Sequence, residues 1–159
     1  MILGIGIDVC DVARVRRALT AASGGRFRDR VFTAAEQEYC EARRHGRFAS
    51  YAARFAAKEA AMKALGTGWA NGIGWREFEV VHDADGRPSL ALHGKASTLA
   101  HRRGMRRWLL ALSHDGGAAV ASVVVEAAPR VRETAGPEGA GRRRGAGAGS
   151  TRRRSRARR

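Results

Sequence analysis

Cysteine is nearly missing from this chain. Cys10 and Cys40 are the two among 159 residues, 30 positions apart and without a partner motif, so neither a disulfide framework nor a zinc finger is encoded. The five histidines form no His-x-His or His-Glu-x-x-His pattern, which removes the common zinc-hydrolase signatures. No apolar stretch approaches the roughly 20 residues that span a bilayer. The N-terminus lacks a basic region and its apolar run is broken by Gly4, Gly6 and Asp8, unlike a signal peptide. Unpaired cysteines and no span lead to the expectation of a cytoplasmic protein without membrane contact. Internal repeats are absent as well.

Acidic residues are scarce, 15 against 30 lysines and arginines, for a net charge of +15. The imbalance divides along the chain. Residues 130–159 hold 11 arginines and two glutamates, whereas residues 1–129 hold 19 basic and 13 acidic residues. The tail is rich in Gly, Ala and Arg with no Leu, Ile, Phe or other aromatic, and cannot bury enough apolar surface to offset its ordering entropy. The sequence therefore divides into a domain at 1–128 and a disordered extension at 129–159. Its Arg152–Arg159 run would bind nucleic acid nonspecifically at most, and a basic nucleic-acid-binding protein is the alternative reading of the whole chain. That alternative wants aromatics interleaved with the basic residues, yet the chain has ten aromatics and the tail has none. The positive balance of the domain instead suits acidic or polyanionic partners.

Against these absences stand two local patterns. Residues 54–68, Arg-Phe-Ala-Ala-Lys-Glu-Ala-Ala-Met-Lys-Ala-Leu-Gly-Thr-Gly, are strong helix formers with a glycine stop. Glu59 and Lys63 are spaced i,i+4, worth only about 0.2–0.5 kcal/mol if merely a solvated ion pair. The second pattern is Ile2–Val9, an expected strand. Alternation puts Leu3, Ile5, Ile7 and Val9 on one face and Gly4, Gly6 and Asp8 on the other. The glycine face leaves room for close approach to the backbone and ends in a carboxylate. A dinucleotide-binding loop is disfavoured, since Val9 stands where its third glycine belongs and the expected strand–helix register is missing. Asp11, ahead of Val12-Ala13-Arg14-Val15, is the better-placed helix cap, which leaves Asp8 free. Asp8 and Glu59 then suit Mg²⁺, which is held by one or two carboxylates and completed by water and substrate phosphates. Lys58, Lys63 and Arg54 are the cations available to those phosphates.

Three blocks in order carry a resemblance: Gly4-Ile5-Gly6-Ile7-Asp8 followed by Arg14; Arg54 to Lys63 with Gly66-Thr67-Gly68; and Leu112-Ser113-His114-Asp115. Over roughly residues 1–126 the chain resembles the holo-acyl-carrier-protein synthases, the small 4′-phosphopantetheinyl transferases. The resemblance implies Mg²⁺-dependent transfer of 4′-phosphopantetheine from coenzyme A to a serine of apo acyl carrier protein, releasing adenosine 3′,5′-bisphosphate, in support of fatty-acid biosynthesis. It implies Asp8 and Glu59 as metal ligands, and Glu59, Lys63 and His114 as catalytic residues. Arg54, Lys63, Gly66, His114 and Asp115 would contact coenzyme A, and Arg14 the acidic carrier protein. Glu59 is the candidate base, directly or through a water that relays the proton. By residue type alone, His114 is equally a polar residue at a strand end, and His45, His82, His93 and His101 read as surface residues.

The coarse map is a strand at 2–8, helices at 12–21, from Thr33 to about 44 and at 48–65, strands at 76–82 and 89–93 around Asp85-Gly86, a helix at 95–103, and strands at 107–113 and 118–126. This order indicates an α+β fold, the 4′-phosphopantetheinyl transferase-like fold, with a small, mostly antiparallel sheet packed with helices. Residues 118–125 are apolar on both faces except at Ser122, so the last strand wants cover on both sides. An oligomer packed through its sheet follows. The resembled family is trimeric, and a chain with one copy of each motif would build its active site between subunits.

Overall fold

Asp11 sets the first boundary of the fold. Its carboxylate accepts hydrogen bonds from the backbone N–H groups of Ala13 (2.6 Å) and Arg14 (3.1 Å), turning strand β1 (Ile2–Asp11) directly into helix α1 (Val12–Thr20). The computed structural model describes residues 1–68 and 72–128, so the arginine-rich segment at 129–159 and its nucleic-acid reading lie outside the described residues. Helix α2 (Gly24–Val31) was not expected. Its Gly-Gly start and arginines mask a pattern in which Phe27 and Val31, four apart, turn inward. Helix α3 (Ala34–Glu41) opens on the expected Thr33–Glu36 capping box, and a short 3₁₀ turn at Arg44–Gly46 leads into α4 (Arg47–Leu65).

The hairpin of β2 (Phe78–His82) and β3 (Pro88–Leu92) turns through Gly86 at φ 78°. Asp83 braces that turn by accepting from the N–H groups of Asp85 and Arg87. Helix α5 (Gly94–Arg102) then leads to β4 (Met105–Asp115) and β5 (Ala118–Ala127). The larger sheet runs β1-β5-β4 and the smaller β2-β3, with every pairing antiparallel. The fold class is α+β, as expected. Among the described residues, no helix is long and apolar enough to cross a membrane.

Helix α4 crosses the sheet at very short range. A methyl group added at Gly6 would lie 1.9 Å from the Ala60 carbonyl oxygen, and one at Gly4 would lie 2.2 Å from that of Ala64. The bare glycine face of β1 is therefore filled by the backbone of α4. On the opposite face, Ile5, Ile7 and Val9 remain 60–64% exposed, an apolar row that no described residue covers.

Lys58 departs from its expected role as a phosphate cation. It is fully buried, and its ammonium donates to Glu36 Oε2 (2.8 Å) and to the carbonyls of Trp75 (3.2 Å) and Phe78 (2.5 Å). Glu36 in turn accepts from the N–H groups of Thr33 and Val80, so one ion pair ties α3, α4 and the start of β2 together. Burial pushes the Lys58 ammonium below its usual range, opposed by the Glu36 charge.

The glycine contact makes a sharp prediction for urea unfolding. Gly6→Ala should cost about 3 kcal/mol or more, since its methyl would meet backbone and not a movable side chain. Gly25→Ala, in α2 with nothing within 4 Å of the added methyl, should be neutral or stabilising by up to about 1 kcal/mol. Equal effects from the two substitutions would remove close helix–strand packing as the constraint.

Candidate active site

Residues 59 and 63 of α4 lie one above the other on one face of the helix. Close packing on β1 brings that face to Asp8. Lys63 Nζ donates to Asp8 Oδ1 (2.8 Å) and to the Ile7 carbonyl (2.9 Å). The ion pair is thus from Lys63 to Asp8, across elements, and not along the helix to Glu59. The Glu59 carboxyl is pushed above its ordinary range, first by burial and then by the Asp8 charge, with Lys63 and Arg14 pulling the other way. Two carboxylates from separate elements therefore feel one another at the site.

They open onto a cavity of about 500 Å³, lined by Asp8, Val9, Arg14, Val15, Ala18, Phe27, Phe55 and Glu59. Its far wall is apolar. Arg14 stands at the junction of the two walls, with its guanidinium carbon 5.5 Å from the centre of the Phe55 ring. Sequence reasoning found Asp8, Glu59 and Arg14 but missed the apolar wall. Phe27 lies on the unexpected helix α2, and its four-residue spacing from Val31 was the available signal.

The chemistry of the donor set fits a hard divalent cation. Two carboxylates converge, and among the described residues no group of three or more His, Cys, Asp and Glu forms a closed metal cage. An ion such as Mg²⁺ that keeps water and phosphate oxygens as ligands suits such an open pair.

The remaining expected residues are placed elsewhere in the chain. Arg54 is five residues before Glu59, about 140° around the helix, and is 3% exposed. Its guanidinium carbon lies 3.9 Å from the centre of the Tyr39 ring, and its Nη1 donates to the Ser50 carbonyl at 3.4 Å. Nε and Nη2 of Arg54 are buried without a hydrogen-bond acceptor. Arg43 also lies over Tyr39, and His82 stacks on that ring at 4.5 Å, so His82 is a half-buried member of a cationic cluster and not a surface residue. Burial, Arg54 and Arg43 push its imidazole below the usual histidine range.

Gly66 ends α4 in the left-handed conformation (φ 73°), donating to the carbonyls of Met62 and Lys63. His114 and Asp115 close β4 at the hairpin into β5. His114 pairs across Ala119 to Cys10, which places it two strand spacings, about 10 Å, sideways from β1. Asp115 accepts from the Gly116 N–H within the turn. One chain thus gathers Asp8, Glu59, Lys63 and Arg14 and holds Arg54, His114 and Asp115 apart from them.

A family model of the 4′-phosphopantetheinyl transferase superfamily matches residues 4–121. A holo-[acyl-carrier-protein] synthase of Anaeromyxobacter dehalogenans (strain 2CP-C) is 53% identical over 130 residues, covering 80% of this chain and 98% of the relative. One from Geobacter sp. (strain M21) is 46% identical over 126 residues, covering 79% and 99%. Among solved structures, the holo-[acyl-carrier-protein] synthase of Neisseria meningitidis superposes with a TM-score of 0.70 at 34% identity, covering 79% of this chain and 99% of that one. That of Bacillus anthracis, solved in complex with CoA (3′,5′-ADP), gives 0.64 at 33% identity, covering 80% and 98%. These likenesses run over nearly the whole of each relative and over the strand and helix that build the carboxylate pair, so the chain belongs to the holo-[acyl-carrier-protein] synthases of the 4′-phosphopantetheinyl transferase superfamily.

Proposed function

We propose that the pocket between β1 and α4 is where this enzyme moves 4′-phosphopantetheine from coenzyme A to a serine of apo acyl carrier protein. The products are holo acyl carrier protein and adenosine 3′,5′-bisphosphate, and the reaction serves fatty-acid synthesis in the cytoplasm. The observation that carries the reading is the Asp8–Glu59 pair, close enough for one charge to raise the other's proton affinity, beside Lys63 and an open cavity. The Bacillus anthracis relative, solved with CoA (3′,5′-ADP), supports the donor, and the family name supports the acceptor.

Asp8 and Glu59 would hold Mg²⁺, which when bound neutralises pyrophosphate oxygens as charge develops on them. Everything else falls to the protein. Lys63 holds a phosphate oxygen and steadies the charge shifting onto the departing bisphosphate. The serine oxygen bonds to the phosphorus carrying pantetheine, the pyrophosphate P–O bond breaks, and the leaving 5′-phosphate carries away the electron pair. Glu59 takes the serine proton through a water it orients. Arg14, stacked on Phe55 at the pocket wall, meets the acidic carrier segment around the serine.

His114 and Asp115 would reach coenzyme A from a neighbouring subunit, and Gly66 would let its chain approach. Buried Arg54, with two donors lacking acceptors, favours an anion beside its aromatic cluster, which suits a coenzyme A phosphate. The exposed row of Ile5, Ile7 and Val9 supports a trimer packed through the sheet, with sites between subunits.

Incubation with apo carrier protein, coenzyme A and Mg²⁺ should add the mass of phosphopantetheine to the carrier, and Asp8→Asn or Glu59→Gln should slow this about 10²–10³-fold. A carrier of unchanged mass would defeat the reading. The intersubunit arrangement is checked by mixing Asp8→Asn and His114→Ala chains, each inactive alone. Random reassortment should restore about one quarter of the sites, whereas a site within one chain would restore none.

A raised Glu59 pKa adds stability fully present below the ordinary carboxylate range and lost as pH rises through the raised value. In chelator, Glu59→Gln should therefore gain in melting temperature over the native protein as pH rises from about 4 to 7, and Mg²⁺ should narrow the gap by stabilising only the native protein. A gap that stays constant with pH would show that Glu59 carries no such strain.

A further inference from the structure

The face of α4 toward β1 is smooth. Ala57, Ala60, Ala61 and Ala64 are buried, and the strand offers Gly4 and Gly6 where side chains would otherwise interlock. Backbone-to-backbone contact of this kind fixes the separation of helix and strand tightly. It resists a small slide along the helix axis, or a small roll about it, far less, because no large side chain sits in a hole.

The opposite side of α4 supplies what is missing. The Lys58 ammonium has three donors, and all three are used: Glu36 Oε2, the Trp75 carbonyl and the Phe78 carbonyl. Those acceptors come from two places in the fold, helix α3 and the turn at residues 75–78 that enters β2, and Glu36 is itself fixed by the N–H groups of Thr33 and Val80. Three directional bonds from one atom define a point in space. We infer that Lys58 is a positioning residue, whose bonds set the roll and axial register of α4 and so aim the adjacent Glu59 at Asp8. A roll of about 10° would carry the Glu59 carboxylate about 1 Å across the site, a displacement large enough to cost roughly 10²-fold in a preorganised reaction. This inference rests on the reading of Asp8 and Glu59 as divalent-cation ligands.

Mn²⁺ binding followed by electron paramagnetic resonance separates positioning from mere stability. Lys58→Met should weaken Mn²⁺ binding at least tenfold. Glu36→Gln keeps one acceptor oxygen, for Thr33 or Val80 but not both, and lacks the charge, and should weaken it less; it serves if the Lys58 variant does not fold. Val125→Ala opens a cavity in the core at the far end of β5, opposite Gly4, and should lose stability while binding Mn²⁺ as the native protein does. Native-like Mn²⁺ affinity in a folded Lys58→Met or Glu36→Gln protein would overturn the inference. So would equal weakening in Val125→Ala, which would reduce the effect to stability alone. A native protein that binds no Mn²⁺ would instead overturn the carboxylate reading beneath it.

Discussion

The contact of α4 with the bare face of β1 is the constraint on which the remaining structure depends. At Gly6 and Gly4 the helix carbonyls of Ala60 and Ala64 occupy the space a side chain would need. Helix and strand come close enough there for the short Asp8 side chain to meet Lys63 and influence Glu59. An alanine at either glycine would push the helix outward, and a carboxylate pair spread over two elements would separate with it.

Close packing alone would leave a smooth interface, and the buried ion pair on the far side of α4 complements it. Buried ion pairs are weak stabilisers against an apolar replacement, yet breaking one costs about 3–5 kcal/mol because the remaining charge is stranded. Their value lies in direction. Lys58 and Glu36 bond to named backbone groups, so they specify one arrangement of α3, α4 and β2 where apolar contact would tolerate several. The helix is held by steric exclusion on one side and by directed hydrogen bonds on the other, with Glu59 between the two.

The site is electrostatically unbalanced on purpose-built lines. Arg14 and Lys63 favour the charged form of Glu59 while burial and the Asp8 charge oppose it, so the pocket suits a cation that brings phosphate with it. The apolar wall of Val15, Ala18, Phe27 and Phe55 meets this charged wall at Arg14. That junction would present both a charged and an apolar surface to a docking carrier protein.

Much of this was legible in short-range patterns. The caps at Asp11 and Thr33, the stop at Gly66, the alternation along β1 and the turn around Gly86 depend on neighbours a few residues away, and each stands where its local chemistry demands. Helix α2 was not legible, because its glycines and arginines are poor local signals and packing of Phe27 and Val31 forms it. Residue chemistry likewise singled out Asp8 and Glu59 as carboxylates with a purpose. Which cation does what was decided only by tertiary structure: Lys63 turns to Asp8, Lys58 disappears into the core with Glu36, and Arg54 stacks on Tyr39. Charge and helical spacing are identical in kind for all three. Only burial, set by residues 15 to 56 positions away, separates an exposed cation from a structural one.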